Sequence, residues 1–164
     1  MKEKIKDIIL APGEFFFGTG EHRIYTLLGS CVAITLWHPQ RHIGGMCHYM
    51  LPTATGSQRL SQGHYADGSM QLFLKAIGRH GSRPEEYEVK LFGGGNMFES
   101  VPDRPGMINV SKNNIEKGIQ LLLQHGFRIK TSDVGGYGHR KIYFELWTGH
   151  VWVRHGDRRI NNKE

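Results

Sequence analysis

Three apolar runs follow one another almost without interruption: IYTLL (24–28), CVAITLW (31–37) and IGGMCHYML (43–51). Each is the length of a strand, and each is dense in β-branched, aromatic or other apolar residues. The last two are separated only by HPQRH, a break that contains Pro39. So short a connection joins antiparallel neighbours, because a parallel pair needs a crossover of roughly a dozen residues or more. The chain is thereby held to a sheet with a hairpin near its first third.

Other elements arrange themselves around that hairpin. Upstream, LAPGEFFFGTGEHR is rich in Gly and aromatics and reads as a loop laying three phenylalanines on the body, with residues 1–22 as an N-terminal extension. After Leu51-Pro52 a polar, glycine-containing loop runs to about Gly63. Ala66, Met70, Phe73, Leu74 and Ile77 then recur at helical spacing, and Gly78 to Gly81 end that helix. EVKLF reads as a strand leading into Gly93-Gly94-Gly95. Ser111 can cap a second helix with Ile115, Ile119 and Leu122 on its apolar face and Gly126 at its end. FRIKTSDV, KIYFELW and HVWVR supply further strands, the last two turning at Thr148-Gly149. Strands followed by alternating helices and strands predict an α/β fold, a layered mixed β-sheet sandwich with packed helices. No linker divides the 164 residues, so one domain over 1–164 is expected, with 155–164 as a basic tail.

Composition bears on location and partners. The start MKEKIKDIIL lacks the apolar run and cleavage site of a signal peptide, and no run reaches the roughly 20 residues that span a bilayer. A cytoplasmic protein without membrane insertion is expected, with Cys31 and Cys47 as free thiols. The net charge of +6 suits an acidic partner. Nucleic acid is not the expected one, since no basic-aromatic interleaving on a recognisable module is present.

Chemistry points first to Cys31. Gly29-Ser30 before it permits a tight turn, where successive backbone N–H groups, those of Ser30 and Cys31, can face one concavity and stabilise an oxyanion. The competing reading is a small buried hydrophobe. A thiol nucleophile needs a base, and His48 is the histidine that strand alternation sets with Gly44, Met46 and Met50 on one face, opposite Ile43, Cys47 and Tyr49. In a hairpin Cys31 and His48 fall at the adjoining strand ends, although a one-residue slip of register would exchange His48 for Cys47. Cys47 itself reads as a core thiol. His22, His38, His42, His64, His80, His139 and His155 read as solvated surface groups. Preferential alkylation of Cys31 over Cys47 is the expected sign of a depressed thiol pKa. No metal is expected, because the two cysteines lie far apart without a matching histidine pair. KLFGGGNMF completes neither phosphate-binding glycine motif; its glycines either bring the backbone close to another surface, with Met97 and Phe98 as an adaptable patch, or form a turn that returns both to the core.

Taken in order, LGSCVAI, GGMCHYMLP, KLFGGGNMF, INVSKNN and SDVGGYGHRKIYFELWTG resemble the chemoreceptor glutamine deamidases, the CheD family. The resemblance implies a fold similar to the catalytic domain of cytotoxic necrotising factor. It also implies hydrolysis of receptor glutamine side chains to glutamate with release of ammonia and no cofactor. It makes Cys31 the nucleophile and His48 the base. The third position falls on Thr26, or on Tyr25 if the spacing to the cysteine differs by one. The implied partners are the cytoplasmic region of methyl-accepting chemotaxis receptors and, in some relatives, a CheC-type phosphatase. Met50, Leu51, Met97 and Phe98, with Gly94 and Gly95 allowing close approach, are the candidate partner-binding rim. A non-catalytic chemotaxis adaptor binding the same partners is the alternative.

Overall fold

The predicted hairpin forms the spine of a five-stranded sheet. In the computed structural model, which describes residues 4–54, 60–97 and 109–156, β4 (Val32–His38) and β5 (Ile43–Tyr49) pair antiparallel, with Val32 opposite Tyr49, Ala33 opposite His48 and His38 opposite Ile43. On its other side β4 pairs antiparallel with β6 (Glu88–Gly93), which pairs in parallel with β7 (Arg128–Val134). With β2 (Phe15–Thr19) the sheet order is β2-β5-β4-β6-β7. Because β4 is central and covered on both faces, its residues are buried almost without a break instead of in alternation.

One face of this sheet receives the helices. Val32, Ile34, Leu36, Cys47 and Tyr49 form a core with Met70, Phe73 and Ile77 of α1 (Ala66–Arg79) and Leu121 and Leu122 of α2 (Val110–Gln124). Against the other face lies a four-stranded sheet ordered β1-β3-β8-β9, from β1 (Lys6–Leu10), β3 (His22–Leu28), β8 (Arg140–Glu145) and β9 (Val151–His155). Ile24, Leu28, Ile142 and Phe144 meet Ala33, Met46 and Phe92 between the sheets. β1 runs parallel to β3 and the remaining pairs are antiparallel. The architecture is thus a mixed-sheet α/β sandwich in three layers. On the solvent side of the second sheet Ile9, Tyr25, Tyr143 and Trp152 line up in register across all four strands, the two tyrosine rings 4.9 Å apart.

Three expectations are corrected. Phe15–Thr19 is an edge strand paired with β5, Phe16 opposite Met46 and Phe17 opposite Gly45, and β1 belongs to the second sheet; residues 6–19 are therefore built into both sheets. The phenylalanines show no alternation because both faces of β2 are covered: Phe15 and Phe17 pack on the helix side, Phe16 on the inter-sheet side. The cap of α2 is Asn109, whose side chain accepts from the Lys112 N–H at 3.0 Å, while the Ser111 hydroxyl donates to Gly95 O at 2.9 Å. His38, read as solvated, is buried, its Nδ1 accepting from the Arg41 N–H.

Candidate active site

β3 belongs to one sheet and β4 to the other, so Gly29-Ser30-Cys31 is the whole of the connection by which the chain passes from β3 in one layer to β4 in the other. Its conformation is set by the glycine triplet at the end of β6. Gly94 N–H donates to Cys31 O at 2.8 Å and Gly95 N–H to Gly29 O at 2.9 Å. Gly93 has φ +106°, and a Cβ there would collide with Cys31 O, so only glycine allows the two segments to meet this closely. Gly94 and Gly95 are buried, which gives these proposed rim residues a different use: their amides hold the cysteine loop.

The register places Cys31 and His48 on one face. Ala33 sits opposite His48, and Cys31 precedes Ala33 by two residues, so Cys31 is the diagonal neighbour of His48 on the inter-sheet side. Such diagonals have Cα separations of about 7–8 Å, within the reach of an imidazole and a thiol. The half-buried Cys31 packs against the inter-sheet core. Cys47 points the other way into the helix-side core, where burial pushes its thiol up to about 12.

Thr26 completes the arrangement from the second sheet. Its hydroxyl lies 2.7 Å from His48 Nδ1 and 2.9 Å from Leu10 O. A hydroxyl has one hydrogen, and a carbonyl can only accept, so Thr26 donates to Leu10 and Nδ1 of His48 carries the proton donated to Thr26 Oγ1. This tautomer leaves Nε2 with a lone pair, and Nε2 is buried with no hydrogen-bond partner among the described residues. Tyr25 faces the opposite side of β3, its ring tilted by 40° against that of Tyr143. Leu10 in this role was not foreseen from sequence; nothing in an N-terminal strand residue advertises that its carbonyl will orient a hydroxyl.

Burial sets the protonation states. It lowers the His48 pKa to about 4, helped by the neighbouring His64, and it raises the Cys31 thiol. The resting pair is therefore neutral imidazole and neutral thiol, and the expected depression of the Cys31 pKa is corrected in sign: desolvation by burial raises it, with no opposing cation among the described residues. His64, read as a surface group, is half-buried with its ring over Gly13, and its carbonyl accepts from the N–H groups of Met50 and Leu51.

Around this centre Met50, Leu51 and Met97 are half-buried, and the Met97 side chain lies over Gly29. Phe98 and residues 157–164 of the basic tail lie outside the described residues.

Thr26→Val keeps the shape and removes the acceptor for Nδ1–H. We expect roughly a 10- to 100-fold loss in the rate at which Cys31 is acylated by p-nitrophenyl acetate, less than the loss of a charged group would cause because threonine brings no charge, and a stability loss of about 1–3 kcal/mol in urea titration. Thr26→Ser restores both.

The family model described as CheD chemotactic sensory transduction matches residues 50–155. The chain is 48% identical over 151 residues to the "Probable chemoreceptor glutamine deamidase CheD" of Pseudomonas savastanoi pv. phaseolicola, covering 92% of this chain and 85% of that one. It is 43% identical over 159 residues to the protein of the same description from Pseudomonas syringae pv. tomato, covering 96% and 94%. To "Probable chemoreceptor glutamine deamidase CheD 1" of Leptospira interrogans it is 37% identical over 158 residues, covering 92% and 93%. Among solved structures, the hypothetical protein YfiH of Bacillus licheniformis aligns with TM-score 0.48 at 11% identity, over 80% of this chain and 60% of that one. The family model begins just beyond His48, whereas alignments covering more than nine-tenths of the chain necessarily include residues 26–48. By both the family-model match and the relatives, the chain belongs to the CheD family.

Proposed function

We propose that this chain is a protein-glutamine deamidase that hydrolyses selected glutamine side chains in the cytoplasmic region of chemotaxis receptors to glutamate. The names of its relatives support the activity. The observation that carries the mechanism is the Thr26–His48 contact, which leaves Nε2 unprotonated on the face it shares with Cys31.

In the first half-reaction Nε2 takes the Cys31 proton as Sγ bonds to the side-chain carbonyl carbon. The carbonyl π electrons move to oxygen, and the oxyanion accepts from the N–H groups of Ser30 and Cys31. The imidazolium then gives its proton to the amide nitrogen, the C–N bond breaks and ammonia leaves. Its low pKa makes the buried imidazolium a strong acid at this moment, which suits a poor leaving group. In the second half-reaction Nε2 takes a proton from water, whose oxygen attacks the thioester; the C–S bond breaks, the thiol is reprotonated and glutamate is released. No step requires a cofactor.

Met50, Leu51 and Met97 are the rim proposed to accept a receptor helix, and the +6 charge favours an acidic bundle. A CheC-type phosphatase is the second partner proposed for this rim. A substrate in the receptors' cytoplasmic region agrees with a cytoplasmic location for this chain.

Incubating the purified protein with a receptor cytoplasmic fragment tests the reading. Ammonia release, with conversion of glutamine to glutamate located by peptide mass spectrometry, is the expected result. Receptor binding without either product would replace it with the adaptor reading.

A further inference from the structure

We infer that Asn114 is a positioning residue that aims the backbone donors of the Cys31 site at the developing oxyanion. The inference rests on the thiol mechanism proposed above.

Asn114 lies on α2 and is fully buried. Its side-chain Nδ2 donates to Ser30 O at 3.2 Å and to Met50 O at 2.8 Å, so both amide hydrogens have acceptors. One acceptor immediately precedes Cys31; the other is two residues beyond His48. A single side chain therefore ties the loop that carries the thiol to the end of the strand that carries the imidazole. The opposite amide orientation would set Oδ1 against two carbonyl oxygens, so the contacts fix the assignment. Oδ1 is buried with no partner among the described residues, a cost of about 1–3 kcal/mol that a purely space-filling residue would not impose. The residue is itself anchored: Tyr49 Oη donates to Asn114 O at 2.6 Å, and that hydroxyl lies where a Cβ on Gly118 would collide with it.

Peptide planarity gives this contact its consequence. Ser30 C=O and Cys31 N–H are opposite edges of one trans peptide and point in opposite directions. Asn114 draws the carbonyl toward the helix layer, so the Cys31 N–H points away from α2, toward the side that carries Cys31 and His48. Gly95 does the same for the preceding peptide, holding Gly29 O and so directing the Ser30 N–H. Among the described residues neither the Ser30 nor the Cys31 N–H takes part in a backbone hydrogen bond. A hydrogen bond accepted at the carbonyl edge also polarises the peptide and strengthens its N–H as a donor.

The test separates oxyanion stabilisation from thiol reactivity. Iodoacetamide alkylation displaces iodide and develops no oxyanion, whereas acylation by p-nitrophenyl acetate passes through one without needing a receptor. For Asn114→Ala we expect Cys31 acylation and the kcat of ammonia release to fall about 10²-fold, on the scale of a lost oxyanion donor. KM and the iodoacetamide rate should stay within about twofold of wild type. In Asn114→Asp a carboxylate opposes both carbonyls, while the protonated acid can donate to one; acylation relative to wild type is expected to rise as pH falls from 8 to 5.5. Acylation in Asn114→Ala within about threefold of wild type, or a parallel fall in alkylation, overturns the inference. If that variant does not fold, an Asn114→Asp ratio that fails to rise on acidification overturns it. Wild type that is acylated in an Asn114-dependent way but releases no ammonia from receptor would refute the deamidase reading and leave this one standing.

Discussion

Cys31→Ala is expected to reduce ammonia release from a receptor fragment by about 10⁴-fold or more, as loss of the nucleophile does in other triad hydrolases. The protein should remain folded. Cys31 lies in the inter-sheet link and only part of its side chain is buried, so removing the sulfur opens little cavity. Cys47→Ala supplies the contrast: a fully buried thiol in the helix-side core, whose loss lowers the thermal midpoint but leaves kcat nearly unchanged. Full activity in Cys31→Ala would remove the thiol mechanism altogether.

His48→Ala is expected to lower kcat by about 10²–10⁴-fold, the range of a general acid–base group. Its signature lies in pH dependence. The imidazole has a pKa of about 4 when folded and about 6.5 when unfolded, so between these values the unfolded chain binds more protons. The stability conferred by the neutral buried ring is complete above pH 6.5 and is lost as pH falls through 4. The full difference amounts to about 3 kcal/mol. Urea midpoints of wild type at pH 7 and pH 4 should therefore differ by more than those of His48→Ala. The acid limb of wild-type activity should likewise fall near pH 4 and not near 6.5. An acid limb at 6.5 would mean that the ring is solvated in the working enzyme.

The hairpin and the face shared by Cys31 and His48 were legible because side-chain alternation and a short turn determine register between sequence neighbours. Thr26 was reached through resemblance, since periodicity reports which face a residue occupies but not which second sheet will cover it. Phe15 to Phe17 read as a loop because a strand covered on both faces loses its alternation, and glycines flank it. The glycine triplet was visible as a place of close approach, yet the surface it approaches is a loop some 60 residues earlier in the chain, contacted through pairing that no local pattern records. The sign of the Cys31 shift was missed because it follows from burial of the sulfur between the sheets, which no local pattern reports.

Division of the proposed catalytic groups between two sheets also bears on the order in which the site can assemble during synthesis. Thr26 is on β3, whose antiparallel neighbour β8 is made more than a hundred residues later. Until Arg140–Glu145 has left the ribosome, β3 has only β1 beside it, and the inter-sheet core lacks Ile142 and Phe144. Thr26, the acceptor for His48 Nδ1–H, thus sits in a sheet that is completed only when the last strands are made.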